Sequence, residues 1–171
     1  MRIRSFRLIP FALLLALASL VAAPAVAGAQ DSSQTVRFTA YAAEDSFRFV
    51  DADGNNRLSV GDYFVVREKL YASLADLRAD RNVQATDRVK CVADRVRGSG
   101  QNARAHWNCR AVFTANDGST LVAVASFWDG DTRFTGSVIA GTGQGQGATG
   151  KLVIQIFRNY SVYRFVLVFR N

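Results

Sequence analysis

Ser137-Val-Ile-Ala-Gly-Thr-Gly-Gln-Gly-Gln-Gly-Ala-Thr-Gly-Lys-Leu-Val-Ile-Gln155 sets two apolar, strand-like runs around a turn holding five glycines in ten residues: Gly141, Gly143, Gly145, Gly147 and Gly150. Glycine at this density lets the backbone take positive φ and approach a neighbouring chain or ligand closely. The same alternation of strand and turn continues upstream. Strand-like runs from Arg88 onward are broken at Gly98-Ser-Gly-Gln-Asn102, Asn116-Asp-Gly118 and Asp129-Gly-Asp131, and a last break at Arg158-Asn-Tyr160 precedes Ser161 to Phe169. Segments of about ten residues between turn signals predict a sandwich or barrel. In the last segment Tyr163, Phe165, Leu167 and Phe169 share one face and Val162, Arg164, Val166 and Val168 the other. Large apolar groups on both faces predict that both are covered, one by the barrel interior and one by a partner subunit.

Toward the N-terminus the signals are mixed. Val36 to Tyr41 reads as a strand, and Ala42 to Val50 is ambiguous between extended and helical. Val60 to Tyr71 reads as a strand centred on Tyr63-Phe-Val-Val66, and Ala72 to Ala79 as a short helix or loop. Arg2, Arg4 and Arg7, the apolar run Phe11 to Val21, and Ala25-Val-Ala27 or Ala27-Gly-Ala29 have the pattern of a secretory signal peptide. The run is short of the roughly 20 residues that span a bilayer. The expected organisation is therefore a leader over residues 1–29 and one β-barrel domain over 30–171, exported and not membrane-spanning. Three of the 21 Lys and Arg residues and none of the 14 Asp and Glu precede that boundary, so the net charge of +7 falls to +4. The remaining basic residues are scattered, which argues against nucleic acid as a partner. Both prolines, Pro10 and Pro24, lie in the leader, which suits a domain made mostly of sheet.

Cys91 and Cys109 flank a strand, a Gly/Ser/Asn turn and a second strand. With the turn centred on Gly100, antiparallel pairing sets the two cysteines opposite each other. Opposite residues in a non-hydrogen-bonded pair lie about 4.5 Å apart at Cα, within disulfide range, and an oxidising compartment makes a structural bridge the expected outcome.

Three stretches resemble the allene oxide cyclase and dirigent barrel superfamily, specifically its exported bacterial members. Val60-Gly-Asp-Tyr-Phe-Val-Val-Arg-Glu-Lys-Leu-Tyr71 is similar to the family's Gly-Asp and apolar strand. Cys91 and Cys109 sit where bacterial members often keep a hairpin cystine. Gly141, Thr142, Gly143, Gly147, Ala148 and Gly150 match the family's glycine-rich turn. The likeness spans roughly Phe38 to Phe169. Ala140 departs from it by replacing a glycine, and Gly145 by replacing an aromatic ring, which implies a looser turn. The resemblance implies an all-β, eight-stranded antiparallel up-and-down barrel, commonly a homotrimer, with a central cavity for a hydrophobic small molecule. It also implies either steering of a reaction or catalysis as an isomerase (a cyclase) on a lipid-derived or polyketide-like substrate. The cyclase site is not carried over, since the domain has no proline and Glu44 is offset. Arg67-Glu68 replaces the dirigent acidic pair.

Candidate cavity residues are Tyr41, Glu44 and Glu68, either carboxylate serving as a buried base in an isomerase. Tyr41, Phe64, Tyr71, Phe127, Trp128, Tyr163 and Phe165 would line a cavity or form ordinary core. Asp51, Asp53, Asn55 and Asp62 have calcium-loop spacing, with Phe47 placed as on an entering helix. Asn56 stands where such loops need glycine, and a plain turn uses the same residues. A structural secreted protein, calcium-ordered at this loop, is the third reading. His106, the only histidine, has no nucleophile or carboxylate pattern around it. Gly150-Lys151 continues into Leu152, unlike a phosphate loop, and no cofactor is expected.

Overall fold

The computed structural model describes residues 34–158 and 160–169. The expected leader and its cleavage pattern lie outside the described residues. Eight antiparallel strands close into a barrel in sequence order: β1 (Gln34–Val50), β2 (Tyr63–Tyr71), β3 (Val83–Arg97), β4 (Arg104–Ala115), β5 (Thr120–Trp128), β6 (Arg133–Thr142), β7 (Ala148–Ile156) and β8 (Ser161–Phe169). The one α-helix among the described residues, α1 (Leu74–Arg78), packs against β1 and β2 and is capped by the Ser73 hydroxyl, which accepts the Asp76 amide.

The ambiguous stretch Ala42–Val50 is extended and continues β1. Its irregular pattern comes from a bulge between Glu44 and Ser46. One extra residue reverses the alternation, so Ala40, Ala42 and Glu44 face inward below the bulge, while Phe47 and Phe49 pair with Val66 and Phe64 above it. The strand serves two neighbours in turn. Gln34–Ala42 pairs with β8 to close the barrel, and Tyr41–Val50 pairs with β2. Above Ala42, β1 therefore runs past the end of β8.

The cystine is formed, with Cys91 opposite Cys109 across β3 and β4. A bulge between Ala93 and Arg95 shifts the register by one above that point, so the turn is centred between Gly100 and Gln101 rather than on Gly100.

The glycine-rich turn between β6 and β7 is tight, not loose as the lost aromatic ring implied. Gly145 is buried, and a Cβ there would stand 2.4 Å from the Thr120 carbonyl oxygen; at Gly141 it would stand 2.1 Å from that of Gly145.

The size of the inward side chains divides the barrel into two halves. At the end closed by the glycine-rich turn, Leu70, Phe113, Val138, Phe165 and Leu167 are buried in one cluster. Phe113 meets Tyr163 and Phe165 edge-on, at centroid distances of 5.5 and 5.2 Å. Toward the other end the inward positions of β4 and β5 are small: Ala111, Ala123 and Ala125. Alanine leaves the interior unfilled there. On β8 the inner face is Tyr163, Phe165 and Leu167, as expected; outside, Arg164 is exposed and Val166 and Val168 are half-buried.

Candidate functional site

The unfilled half of the barrel is a cavity of about 220 Å³. Phe64, Phe127, Phe134, Leu152 and Ile154 supply most of its apolar wall, with the cystine and the alanines of β4 and β5 completing it. Apart from Val124 on β5, its solvent-exposed members are Glu44 and Ile156, and Ser161 is half-buried. They mark a mouth between the upper part of β1 and the β7–β8 connection. That mouth exists because β8 stops pairing with β1 at Ala42.

Three acidic residues stand in one cross-strand row. Glu44 on β1 is paired with Glu68 on β2, and Glu68 with Asp87 on β3. Paired residues lie about 4.5–5.5 Å apart at Cα. Glu44 is exposed at the mouth, whereas Glu68 and Asp87 are 7% and 4% exposed. The Tyr163 hydroxyl donates to Glu68 Oε2. Both Asp87 carboxyl oxygens are buried and have no hydrogen-bond partner among the described residues.

Two buried carboxylates cannot both stay ionised side by side. Burial, then the charge of Glu68, raises Asp87 far above the ordinary carboxylate range. Burial also raises Glu68, opposed by the hydrogen bond from Tyr163 and reinforced by Glu44. Burial and the two carboxyl groups push the Tyr163 phenol well up, so it stays a donor. These shifts favour one proton held between the two acids. Asp87, whose carboxyl has no other partner among the described residues, keeps it, and Glu68 accepts a bond from the Tyr163 hydroxyl. Chemically this is a proton acceptor at the cavity floor with an acid behind it and a hydroxyl beside it.

The sequence-based candidates divide accordingly. Glu68 lies at the centre of the site and Glu44 at its mouth. Tyr41 does not line the cavity: its neighbours Ala40 and Ala42 point into the core, so alternation turns it outward. Phe64, Phe127 and Tyr163 line the cavity, Phe165 is core, and Tyr71 donates to Asp80 in the β2–β3 connection. Gly141, Thr142, Gly143, Gly147, Ala148 and Gly150 close the filled end and do not line the cavity. Asp87 was not a candidate. The signal for it was an acid interrupting the apolar inward row Ala85, Val89, Cys91 and Ala93.

The Asp51–Asp62 segment joins two strands, so Phe47 stands on β1 and not on an entering helix. Carboxyl oxygens of Asp51, Asp53 and Asp62 lie within 4.8 Å of one another. Each also caps the loop's own amides. Asp51 accepts from Gly54 and Asn56, Asp53 from Asn55, and the fully buried Asp62 from Ala52 and Ser59 at 2.8 Å each. His106 stands on the outer face, bonded at 2.6 Å to Asp94 and packed against Trp128.

No protein-family model matches this chain, and no curated protein matches it by sequence. Solved structures do resemble it. The pterocarpan synthase dirigent protein GePTS1 aligns with a TM-score of 0.64 at 15% identity, covering 91% of this chain and 100% of its own. Pyocyanin demethylase aligns at 0.61 and 18%, covering 77% and 99%. The Diels Alderase AbmU from Streptomyces koyangensis aligns at 0.50 and 18%, covering 82% and 69%. At these identities the likeness is one of fold. The chain is a closed eight-stranded barrel of the kind shared by dirigent proteins and cyclases. In this chain the barrel holds a cavity open at one end and a buried Glu68–Asp87 pair.

Proposed function

We propose that this protein is an exported, dirigent-like barrel that binds a hydrophobic small molecule in the cavity and steers its reaction. The observation that carries the reading is the apolar cavity closed at one end and holding a polar cluster at its floor. A ligand's rings would sit against Phe64, Phe127 and Phe134, and one polar atom would meet Glu68 or Tyr163. Export is supported by the leader-like N-terminus and the formed cystine. No helix among the described residues is long and apolar enough to cross a membrane. Assembly as a homotrimer is part of the proposal and follows from the resemblance and the half-buried valines outside β8.

The isomerase reading has its own support in the Glu68–Asp87–Tyr163 cluster. Glu68 would take a proton from one carbon of the bound ligand. Asp87 or Tyr163 would help return one to another atom, with no net change in atoms or electrons.

The test is native mass spectrometry of the exported protein from its own host, before and after denaturation, beside Ala111→Leu, which fills the cavity. A trimer releasing a small molecule that the variant does not carry is the expected result. Protein that is empty from the host, and whose thermal midpoint no fraction of the host's small-molecule extract raises, overturns the binding reading. With a ligand in hand, loss of its turnover in Glu68→Gln separates catalysis from binding.

A further inference from the structure

We propose that the cavity selects its occupant by charge, taking a neutral or cationic ring compound that bears a carbonyl, phenol or basic nitrogen, and rejecting carboxylates such as free fatty acids. This inference rests on the proposed binding function and narrows its ligand class. The polar groups lining the cavity are Glu44, Glu68, Ser161 and Tyr163, and the lining contains no Lys, Arg or His. Among the described residues, none of Glu44, Glu68 and Asp87 takes part in a salt bridge. The chain does not lack cations at these positions. Glu68 lies between Arg67 and Lys69, and Asp87 is followed by Arg88. Strand alternation sends these bases to the outer surface and keeps the acids inside. The barrel thus separates charge across its wall, with the negative side inward.

That separation decides what can enter. A carboxylate would pass Glu44 at the mouth and stop beside the buried acids Glu68 and Asp87. No guanidinium or ammonium group inside would offset the repulsion. A basic nitrogen would instead find its counter-ion at Glu68. A neutral carbonyl would accept a bond from the Ser161 hydroxyl, and a phenol would donate to Glu68. The flat faces offered by Phe64 and by Phe127 stacked on Phe134 at 4.3 Å suit a ring. A volume of about 220 Å³ lies below the usual ligand-pocket range and suits a compound of one or two rings.

Isothermal titration calorimetry at neutral pH with three 2-substituted naphthalenes tests this: 2-naphthol (neutral), 2-naphthylmethylamine (cationic) and 2-naphthoate (anionic). The expected result is binding of the first two and at least about tenfold weaker binding of the third. The double variant Glu44→Gln/Glu68→Gln should bring naphthoate within about threefold of naphthol. Ala111→Leu should remove all binding and so locate it. Naphthoate binding the unaltered protein as tightly as naphthol overturns the charge rule and leaves the binding function standing. Failure of all three probes overturns binding of ring compounds in the cavity, and with it this inference.

Discussion

Asp87→Asn reports on the buried acid pair through stability alone, before any ligand is known. Burial and the neighbouring Glu68 raise the Asp87 carboxyl from 3.8 to about 9 in the folded protein. Between those two values the folded chain keeps a proton that the unfolded chain has released. Its stabilising contribution is therefore complete below the unfolded pKa and is lost as pH rises toward the folded one. Each proton retained in this way is worth about 1.4 kcal/mol per pH unit. From about pH 5 to pH 8 the ceiling is about 4 kcal/mol. Sharing of the proton with Glu68 and water entering by the mouth reduce the expected loss to about 1–3 kcal/mol. Asparagine keeps the size of the side chain, donates an N–H toward Glu68 and does not titrate. Urea unfolding followed by circular dichroism at about pH 5, 6.5 and 8 gives the two stability profiles. The variant should have the flatter profile and be the more stable protein at the alkaline end. Parallel profiles would show that Asp87 is ionised in the folded state and refute the shared proton.

Other substitutions probe the frame around the site. Gly150→Ala would bring a Cβ to 2.1 Å from the Val166 carbonyl oxygen, forcing β7 from β8, and should cost about 1–3 kcal/mol in thermal or chemical unfolding. An unchanged midpoint would mean that the strands part easily there. Replacing Cys91 and Cys109 together by alanine removes a cross-link over 18 residues and should lower stability by about 3 kcal/mol in guanidinium titrations, with the barrel's far-UV spectrum retained. Asp62→Ala strips the caps from the Ala52 and Ser59 amides and should cost about 2–3 kcal/mol in calcium-free buffer. A cost that appears only when calcium is present would make the β1–β2 loop a metal site instead.

The succession of strands and turns was legible in the sequence because the turns are made by residue types with few alternatives, above all the five glycines after Ile139; closure into a barrel rather than a sandwich was implied only by the family resemblance. The cystine pairing was legible because a hairpin's register follows from its turn, and the Ala93–Arg95 bulge lies above the cysteines and leaves their pairing intact. Ala42–Val50 was not legible. A bulge breaks the two-residue period on which a strand is recognised, and only the partner strand reveals it. Tyr41 was misplaced for a related reason, since alanines at 40 and 42 carry too little side chain to announce the inner face. Glu68 was visible as an acid among Phe64, Val66 and Leu70. Its pairing with Asp87 joins residues 19 apart in sequence and depends on the β2–β3 register, which no local pattern fixes.

The overrun of β1 past β8 has a consequence for the chain's behaviour at high concentration. Among the described strands, Ser46–Val50 is hydrogen-bonded to β2 alone, so its other side presents unpaired backbone beside Phe47 and Phe49, which are 54% and 45% exposed. Such an edge invites an extended peptide or a second barrel to add a strand. The bulge at Asp45 and the charge of Arg48 are the usual deterrents against that event. Arg48→Val would remove one of them, and its cost would fall on colloidal stability, with the folded monomer itself little changed.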